Sequence, residues 1–199
     1  MVSIVLCGVG GQGIITVANI IGRAAVKEGK NVLMTELHGM AQRGGKILVE
    51  LRIGDYKSAI IPAGRGDVLL GFEELEAARN AYKIKEDGFL IVNRRRIHTI
   101  PLIAGIKNYP EESVETLERR GAYFIEADSL ALELGNKRVV NTIMSGVLFS
   151  TGILGLSEDS IKSSIKESVN SKYWDVNLRA FEAGKGLISS GQQTAIYPR

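Results

Sequence analysis

Residues that bind metals are scarce in this 199-residue chain, which has one cysteine and two histidines. Iron–sulfur clusters take cysteine ligands and structural zinc sites take four cysteine or histidine ligands, so the chain cannot build either site alone. Cys7 lies within an apolar run, and we expect it to be a buried small side chain without a disulfide partner in the chain. Any redox metal must therefore come from another chain.

Long apolar runs and a large excess of one charge are also missing. The most apolar stretch, Thr142 to Leu156, is shorter than the roughly 20 residues that a membrane-spanning helix needs. The N-terminus lacks the charged region and the cleavage site of a signal peptide. With 25 basic and 22 acidic residues, the net charge of +3 is too small to favour nucleic acid as a partner. We expect a cytoplasmic protein with no membrane or nucleic-acid partner.

Strand and helix patterns alternate along the chain. The predicted strands are Val2–Cys7, Asn31–Glu36, Ile47–Ile53, Asp67–Phe72, Phe89–Val92 and Tyr123–Glu126. The predicted helices are Ile14–Glu28, Glu73–Lys83, Pro110–Arg120, Thr142–Leu154, a helix capped by Ser157, and Tyr173–Ile188. The first strand, helix and second strand predict a right-handed βαβ unit of parallel strands, and Gly54-Asp55 predicts a hairpin turn into Tyr56–Ile61.

This alternation predicts one domain over residues 1–199 with an α/β, doubly wound, mostly parallel and Rossmann-like sheet, a β-hairpin elaboration and a helical C-terminal third. Asn141 can cap the helix Thr142–Leu154, which contains Gly146 and Gly152. Glycine inside a helix costs roughly 1 kcal/mol relative to alanine. We therefore expect another backbone to pack closely against this helix.

A glycine-rich turn follows the first predicted strand and satisfies the pattern G-x-G-x-x-G. Its candidate binding residues are Gly8, Gly10, Gly11, Gln12 and Gly13. Free N–H groups at the start of the next helix can hold a phosphate, a carboxylate or a partner's oxygen, because the helix dipole favours negative charge there. The alternative is a plain tight turn, which the same spacing fits.

The run 36–45 follows the second predicted strand and is rich in polar groups and glycine. Its candidate binding residues are Glu36, His38, Gln42, Arg43 and Gly44. Arg43 can grip a carboxylate or a phosphate with two hydrogen bonds, and His38 can exchange a proton near neutral pH or serve a structural role. Ligands of open α/β sheets bind at the carboxyl ends of strands, so we expect this run to lie beside the glycine-rich turn.

Two observations leave the function open at this point. Glu36 lies 23 positions after Gly13, where a dinucleotide-binding fold places the acid that holds a ribose, so a free-standing NAD or nucleotide binder is one possibility. No serine, histidine and aspartate set and no paired carboxylates have supporting spacing. The basic stretches Arg94–Arg96 and Lys137-Arg138 suit an acidic partner, but surface charge is common and we leave them out of the candidate site.

The glycine-rich turn and the run 36–45 together resemble the gamma-type component of 2-oxoacid:ferredoxin oxidoreductases. The likeness is specific in Gly8-Val9-Gly10-Gly11-Gln12-Gly13 and in Glu36-Leu37-His38-Gly39-Met40-Ala41-Gln42-Arg43-Gly44-Gly45, and it continues through Arg52-Ile53-Gly54. It extends more loosely through Asp67 to Ala77, through Gly135-Asn136 with Asn141, and through Asn177 to Gly184. The rest of the chain is similar only in outline.

The resemblance implies a smaller subunit, inactive alone, whose larger alpha subunit carries thiamine diphosphate, magnesium and the iron–sulfur clusters. The complex would convert an arylpyruvate such as indolepyruvate, with coenzyme A as co-substrate and oxidised ferredoxin, to an acyl-CoA, carbon dioxide and reduced ferredoxin. Ferredoxin would be a partner of the whole complex and not of this chain alone. We expect the chain to assemble as a homodimer or in a heterotetramer. A subunit with a purely structural role is the alternative, and the choice among 2-oxoacids stays open.

Overall fold

A computed structural model describes residues 1–39, 45–97 and 109–188. Six strands form one sheet: β1 Val2–Val9, β2 Val32–His38, β3 Lys46–Ile53, β4 Gly66–Gly71, β5 Ile84–Asn93 and β6 Tyr123–Ile125. The helices of the described residues are α1 Ile14–Lys27, α2 Glu74–Asn80, α3 Glu111–Arg119, α4 Ala127–Glu133, α5 Val140–Ser150, α6 Glu158–Ser168 and α7 Trp174–Lys185. None of these helices has the length and apolar character needed to cross a membrane.

The strand order of the sheet is β2-β3-β1-β4-β5-β6. Strands β1, β4, β5 and β6 pair in parallel, whereas β3 pairs antiparallel with both of its neighbours, β1 and β2. Five strands therefore point the same way and only β3 is inverted. β1 is buried along most of its length, as its continuous apolar run predicted for a central strand.

The predicted α/β fold with helices on both faces is confirmed, but two local predictions are wrong. Residues 56–61 form no strand, and the β-hairpin is made instead by β2 and β3, which pair from Val32↔Ile53 to His38↔Ile47. Inserting β3 beside β1 also separates the two strands of the predicted βαβ unit. The alternation of apolar and polar residues in β3 predicted a strand but did not indicate which strand it would pair with.

Helices cover the two faces of the sheet unevenly. Helices α1, α4, α5, α6 and α7 contribute to the larger core, which includes Ile4, Leu6 and Phe181. Helices α2 and α3 contribute to the smaller core on the opposite face, which includes Val5, Cys7 and Leu69. The alternation of Ile4, Val5, Leu6 and Cys7 between the cores follows from the period of two in a strand.

The smaller core also borders a buried ion pair. Glu50 Oε1 lies 2.7 Å from Lys83 Nζ, and both side chains are almost fully buried. Lys83 also donates a hydrogen bond to the carbonyl oxygen of Ile61. This pair joins β3 to the segment that precedes β5. Because both side chains are buried, each charge would be left without compensation if the other were removed.

Helices α5 and α7 cross at close range through two glycines. A methyl group added at Gly146 would lie 2.9 Å from Lys185 N, and one added at Gly184 would lie 2.9 Å from the carbonyl carbon of Ile143. Both distances are shorter than ordinary van der Waals contact. The expected close approach of another backbone is thus confirmed at Gly146, where α7 supplies that backbone.

The predicted features near the ends of α5 have different roles from those expected. Asn141 does not cap α5, because the helix begins at Val140 and the cap position, Val139, makes no side-chain hydrogen bond. Gly152 lies beyond the helix with φ of +72°, and its N–H donates to Phe149 O. Its glycine therefore serves the left-handed turn that ends the helix and not a helix contact.

Ion pairs and hydrogen bonds fix the helical C-terminal third to the sheet domain. Glu158 accepts hydrogen bonds from Lys162 and Lys185, which lower its pKa to about 2. Glu28, just after α1, accepts a hydrogen bond from Ser157 N at 2.7 Å, which lowers the pKa of Glu28 to about 2. As predicted, Ser157 caps α6 by accepting from Ser160 N.

Candidate functional site

A cleft with a volume of about 720 Å³ opens at the carboxyl ends of β1 and β5. It is bounded by the glycine-rich turn, by the residues that follow β5, and by α4 and the start of α5. Its lining residues are Gly10, Gly11, Gln12, Gly13, Arg95, Ile97, Asp128, Leu132, Lys137, Arg138, Val140 and Asn141. This is the sheet edge at which ligands of α/β folds bind.

The glycine-rich turn needs its glycines for conformation and for close packing. Gly11 and Gly13 have φ of +98° and +78°, a region that other residues rarely adopt. A methyl group at Gly8 would lie 2.9 Å from Phe72 Cβ and would also meet the Gln12 side chain. Gln12 Oε1 accepts from Val9 N at 2.7 Å, and Gln12 Nε2 donates to Phe72 O at 2.8 Å. Gln12 therefore braces the turn against the end of β4.

The start of α1 faces the cleft without a side-chain cap. Gly13 is the cap residue, and the first turn of α1 contains no acidic residue. Asn141, on α5, packs against Gly13 so closely that a methyl group there would lie 2.7 Å from Asn141 Nδ2. The positive end of the α1 dipole is thus available to an anion in the cleft, next to a side-chain amide.

Cationic side chains also line the cleft. Arg95 Nη1 donates to Asp128 Oδ1 at 2.7 Å, and Asp128 also accepts from the buried Asn93 at 2.7 Å. Lys137 and Arg138 are exposed, and neither forms an ion pair with another described residue. Arg95 is therefore held in place, whereas Lys137 and Arg138 offer two charges that no described residue compensates.

The two sequence motifs are neighbours, as expected, because Gly10 N donates to Gly45 O at 2.9 Å. Glu36 and His38 lie farther away, in β2, where their side chains form a pair with Nε2 and Oε2 3.1 Å apart. Since β3 lies between β1 and β2, Glu36 is two strand spacings, roughly 10 Å, from β1. Gln42, Arg43 and Gly44 lie outside the described residues.

Buried carboxylates at the start of α2 were not recognised from the sequence. Glu73, Glu74 and Glu76 are all buried. Glu73 caps α2 by accepting from Glu76 N, and burial raises the pKa of Glu73. Glu74 pairs with Arg96 at 2.7 Å. Their acidic character suited a helix N-terminus, but nothing in the sequence indicated that they would be buried.

The arginine triplet after β5 is paired within the chain. Arg94 lies 3.5 Å from Glu118, and Arg96 pairs with Glu111 at 2.7 Å in addition to Glu74. With Arg95 bound to Asp128, each arginine holds the segment after β5 to a helix. The cleft residues that the sequence analysis left out are Arg95, Asp128, Lys137, Arg138 and Asn141; only convergence in space distinguishes them from other surface residues.

A family model described as pyruvate ferredoxin/flavodoxin oxidoreductase matches residues 3–187. The chain belongs to this family. The chain is also 42% identical over 191 residues to the indolepyruvate oxidoreductase subunit IorB of Methanothermobacter thermautotrophicus, covering 94% of this chain and 97% of that protein. The family's small subunit is therefore the unit to which this chain corresponds, which confirms the resemblance predicted from the two motifs.

Two solved structures have the same fold as this chain. The pyruvate oxidoreductase subunit PORC of Thermotoga maritima superposes with a TM-score of 0.71 at 24% identity, covering 93% of this chain and 95% of that chain. The 2-oxoglutarate:ferredoxin oxidoreductase of Magnetococcus marinus, solved with 2-oxoglutarate, coenzyme A and succinyl-CoA bound, has a TM-score of 0.71 at 22% identity. That match covers all of this chain but 32% of the other, so the fold also occurs within a much longer chain.

Proposed function

We propose that this chain is the small subunit of an enzyme that oxidatively decarboxylates indolepyruvate or other arylpyruvates. The products would be an acyl-CoA, carbon dioxide and reduced ferredoxin, and the co-substrates would be coenzyme A and oxidised ferredoxin. The observation that carries the proposal is the 42% identity to an IorB subunit over nearly the full length of both chains. The whole family acts on 2-oxoacids of several kinds, and the IorB relatives favour an aryl side chain.

Thiamine diphosphate, magnesium and the iron–sulfur clusters belong, in this proposal, to a larger alpha subunit. The chain has a single cysteine, and Cys7 is buried between strands with a pKa raised by burial, so it is a poor ligand for an external metal. Among the described residues, no group of three or more histidine, cysteine or acidic side chains could hold a metal ion. The small subunit would contribute binding surface, with either a homodimer or a heterotetramer as the assembly.

The cleft beside the glycine-rich turn is the proposed site for the phosphate groups of coenzyme A. Gly11 and Gly13 place no side chain on its floor, α1 presents its positive end, and Lys137 and Arg138 supply two charges that have no ion-pair partner among the described residues. Asn141 adds a hydrogen-bonding amide. This chain would thereby hold and orient the co-substrate while the carbon chemistry proceeds on the larger subunit.

Affinity purification of the tagged chain with the co-expressed larger subunit tests the subunit assignment. A brown complex that reduces a dye with indolepyruvate and coenzyme A is the expected result. Failure of the chain to join any thiamine-dependent large subunit would defeat the proposal. Pyruvate and branched 2-oxoacids tested in the same assay would identify the preferred substrate class.

Steady-state kinetics of the complex test the role of the cleft. Losing one cation from a phosphate contact costs about 1–2 kcal/mol, so Lys137→Ala and Arg138→Ala should each raise the KM for coenzyme A about tenfold and leave the KM for the 2-oxoacid unchanged. Lys57→Ala, at an exposed lysine in the segment between β3 and β4, is the matched control. An unchanged KM for coenzyme A in both cleft variants would place the phosphates elsewhere.

The alternative of a free-standing NAD binder has lost its geometric support. It required Glu36 to end the strand next to β1, but β3 occupies that place. A calorimetric titration with NAD should give no heat of binding. Arg43→Ala distinguishes the proposed role in binding coenzyme A from a purely structural role of the subunit. If the role were purely structural, Arg43→Ala would disturb assembly of the complex without altering its affinity for coenzyme A.

A further inference from the structure

One edge of the sheet is β2, which pairs with β3 on one side and with no described strand on the other. Its pairing register with β3 extends by one residue at each end, where Gly54 N donates to Asn31 O and Gly39 N donates to Lys46 O. Antiparallel strands alternate between hydrogen-bonded and non-hydrogen-bonded pairs, so the odd-numbered residues of β2 bond to β3. The even-numbered residues point their N–H and C=O groups away from the sheet. They are Val32, Met34, Glu36 and His38.

This edge carries few of the features that keep exposed strands from pairing. β2 contains neither proline nor lysine, and the only ionisable side chains among its seven residues are those of Glu36 and His38. Leu37 is 55% exposed and Met34 is 38% exposed, one on each face of the strand. An edge of this kind is open to pairing with another strand.

Both faces beside β2 can receive side chains from an added strand. On one face, a groove of about 470 Å³ lies between α1 and β2 and contains Val26, Met34 and Arg23. On the other face, Leu37 lies opposite Leu48 of β3. Because successive side chains of a strand alternate between faces, an added strand would place one set in the groove and the other set along these leucines.

Charge in the groove gives the added strand a chemical character. Lys27, which also lines the groove, is already paired with Glu167 at 2.6 Å, whereas Arg23 is exposed and has no ion-pair partner among the described residues. An acidic side chain at a groove-facing position would compensate Arg23. The remaining positions favour apolar side chains.

We infer that β2 pairs with an extended segment of the larger subunit, apolar at alternate positions and with a carboxylate that reaches Arg23. This inference rests on the proposed function. The same fold makes up 32% of a longer oxidoreductase chain, so in that protein a surface of this domain adjoins the rest of the enzyme. The unpaired edge is the surface of this chain best suited to that contact, and its hairpin also carries the run 36–45.

Hydrogen exchange of the four outward amides tests the inference without changing the sequence. In the isolated chain, the amides of Val32, Met34, Glu36 and His38 should exchange fast, and in the purified complex they should be protected at least tenfold. Unchanged exchange in a complex that forms and is active would overturn the inference while leaving the proposed function intact. Absence of any complex would instead count against the proposed function.

Two substitutions at one position separate the backbone contact from the side-chain contact. Met34→Pro removes an outward N–H without breaking a bond to β3, and it should weaken the affinity for the larger subunit about tenfold or more, equivalent to at least one lost hydrogen bond. Met34→Ala keeps the N–H and should weaken it less. Equal affinities for wild type and Met34→Pro, with both folded by circular dichroism, would refute the pairing. Protected β2 amides in an isolated chain with dimer mass would identify a second copy as the occupant and overturn the inference as well.

Discussion

Substitution of Gly184 by alanine tests the close crossing of helices α5 and α7. The new methyl group would lie 2.9 Å from the carbonyl carbon of Ile143 and closer still to its oxygen, so α5 and α7 must separate by at least about 0.6 Å to relieve the contact with the carbon and by more to relieve the contact with the oxygen. A gap of that size forfeits about a quarter of the dispersion energy of the facing atoms. Overpacking of this kind lowers the free energy of unfolding by about 1–3 kcal/mol, and by more where the added group meets backbone atoms. The better helix propensity of alanine raises it by about 1 kcal/mol.

We therefore expect Gly184→Ala to lower the free energy of unfolding by about 2 kcal/mol, which corresponds to a fall in Tm of about 4–8 °C for a domain of this size. Urea denaturation with equal slopes for both proteins is the measurement. Gly22→Ala is the control, because it is also a glycine inside a helix but has ordinary contacts of 3.6 and 3.8 Å around the added methyl. It should stabilise the protein by up to about 1 kcal/mol. If both variants were stabilised alike, the close crossing would be refuted.

Four other changes test contacts made elsewhere in the chain. Gln12→Ala removes both side-chain hydrogen bonds of the glycine-rich turn and should lower the free energy of unfolding by about 1–3 kcal/mol in urea. Glu50→Leu leaves Lys83 buried without its carboxylate partner and should lower the free energy of unfolding by about 3–5 kcal/mol. Adding Lys83→Met should restore most of that loss. Additive effects in a double-mutant cycle would show that the two side chains are not coupled. The Cys7 thiol, buried and with a raised pKa, should react with a thiol reagent only as fast as the chain unfolds, and rapid labelling of the folded protein would contradict its burial. The pKa of Glu28 is lowered from 4.5 to about 2, so the ionised Glu28 stabilises the folded chain above pH 4.5 and this contribution is lost as the pH falls toward 2. Glu28→Gln should therefore lower the free energy of unfolding at pH 7. At pH 2 the variant and wild type should have equal free energies of unfolding in urea titrations.

Local sequence patterns predicted most of the secondary structure because each depends on neighbouring residues alone. The apolar run of β1, the alternation in β3 and the serine cap of α6 are of this kind. Which strand lies beside which is decided by long-range packing, and the pattern of β3 is the same whether it pairs with β2, with β1 or with a following strand. The prediction of the fold class survived this error because inverting one strand leaves the helices on both faces.

The candidate site was predicted in the same uneven way. The glycine-rich turn could be found because its left-handed Gly11 and Gly13 require a residue type that the sequence displays. Lys137 and Arg138 were noted as a basic stretch but could not be assigned to the site, because an exposed cation near a cleft and an exposed cation on open surface look identical in a sequence. Glu36 was misplaced relative to β1 because its distance along the chain fits a strand order that the molecule does not have.

The hydrogen bond from Gly10 N to Gly45 O joins the turn beside the cleft directly to the first residues of the β2–β3 hairpin. A ligand that shifts the turn must therefore strain, or carry with it, the same hairpin that offers its outer edge to a partner. Thermodynamic linkage makes any such coupling reciprocal. If a ligand in the cleft changes the affinity of the β2 edge for its partner by some factor, the partner changes the affinity of the cleft for its ligand by the same factor. One backbone hydrogen bond thus links the cleft proposed to bind coenzyme A to the strand edge proposed to bind the larger subunit.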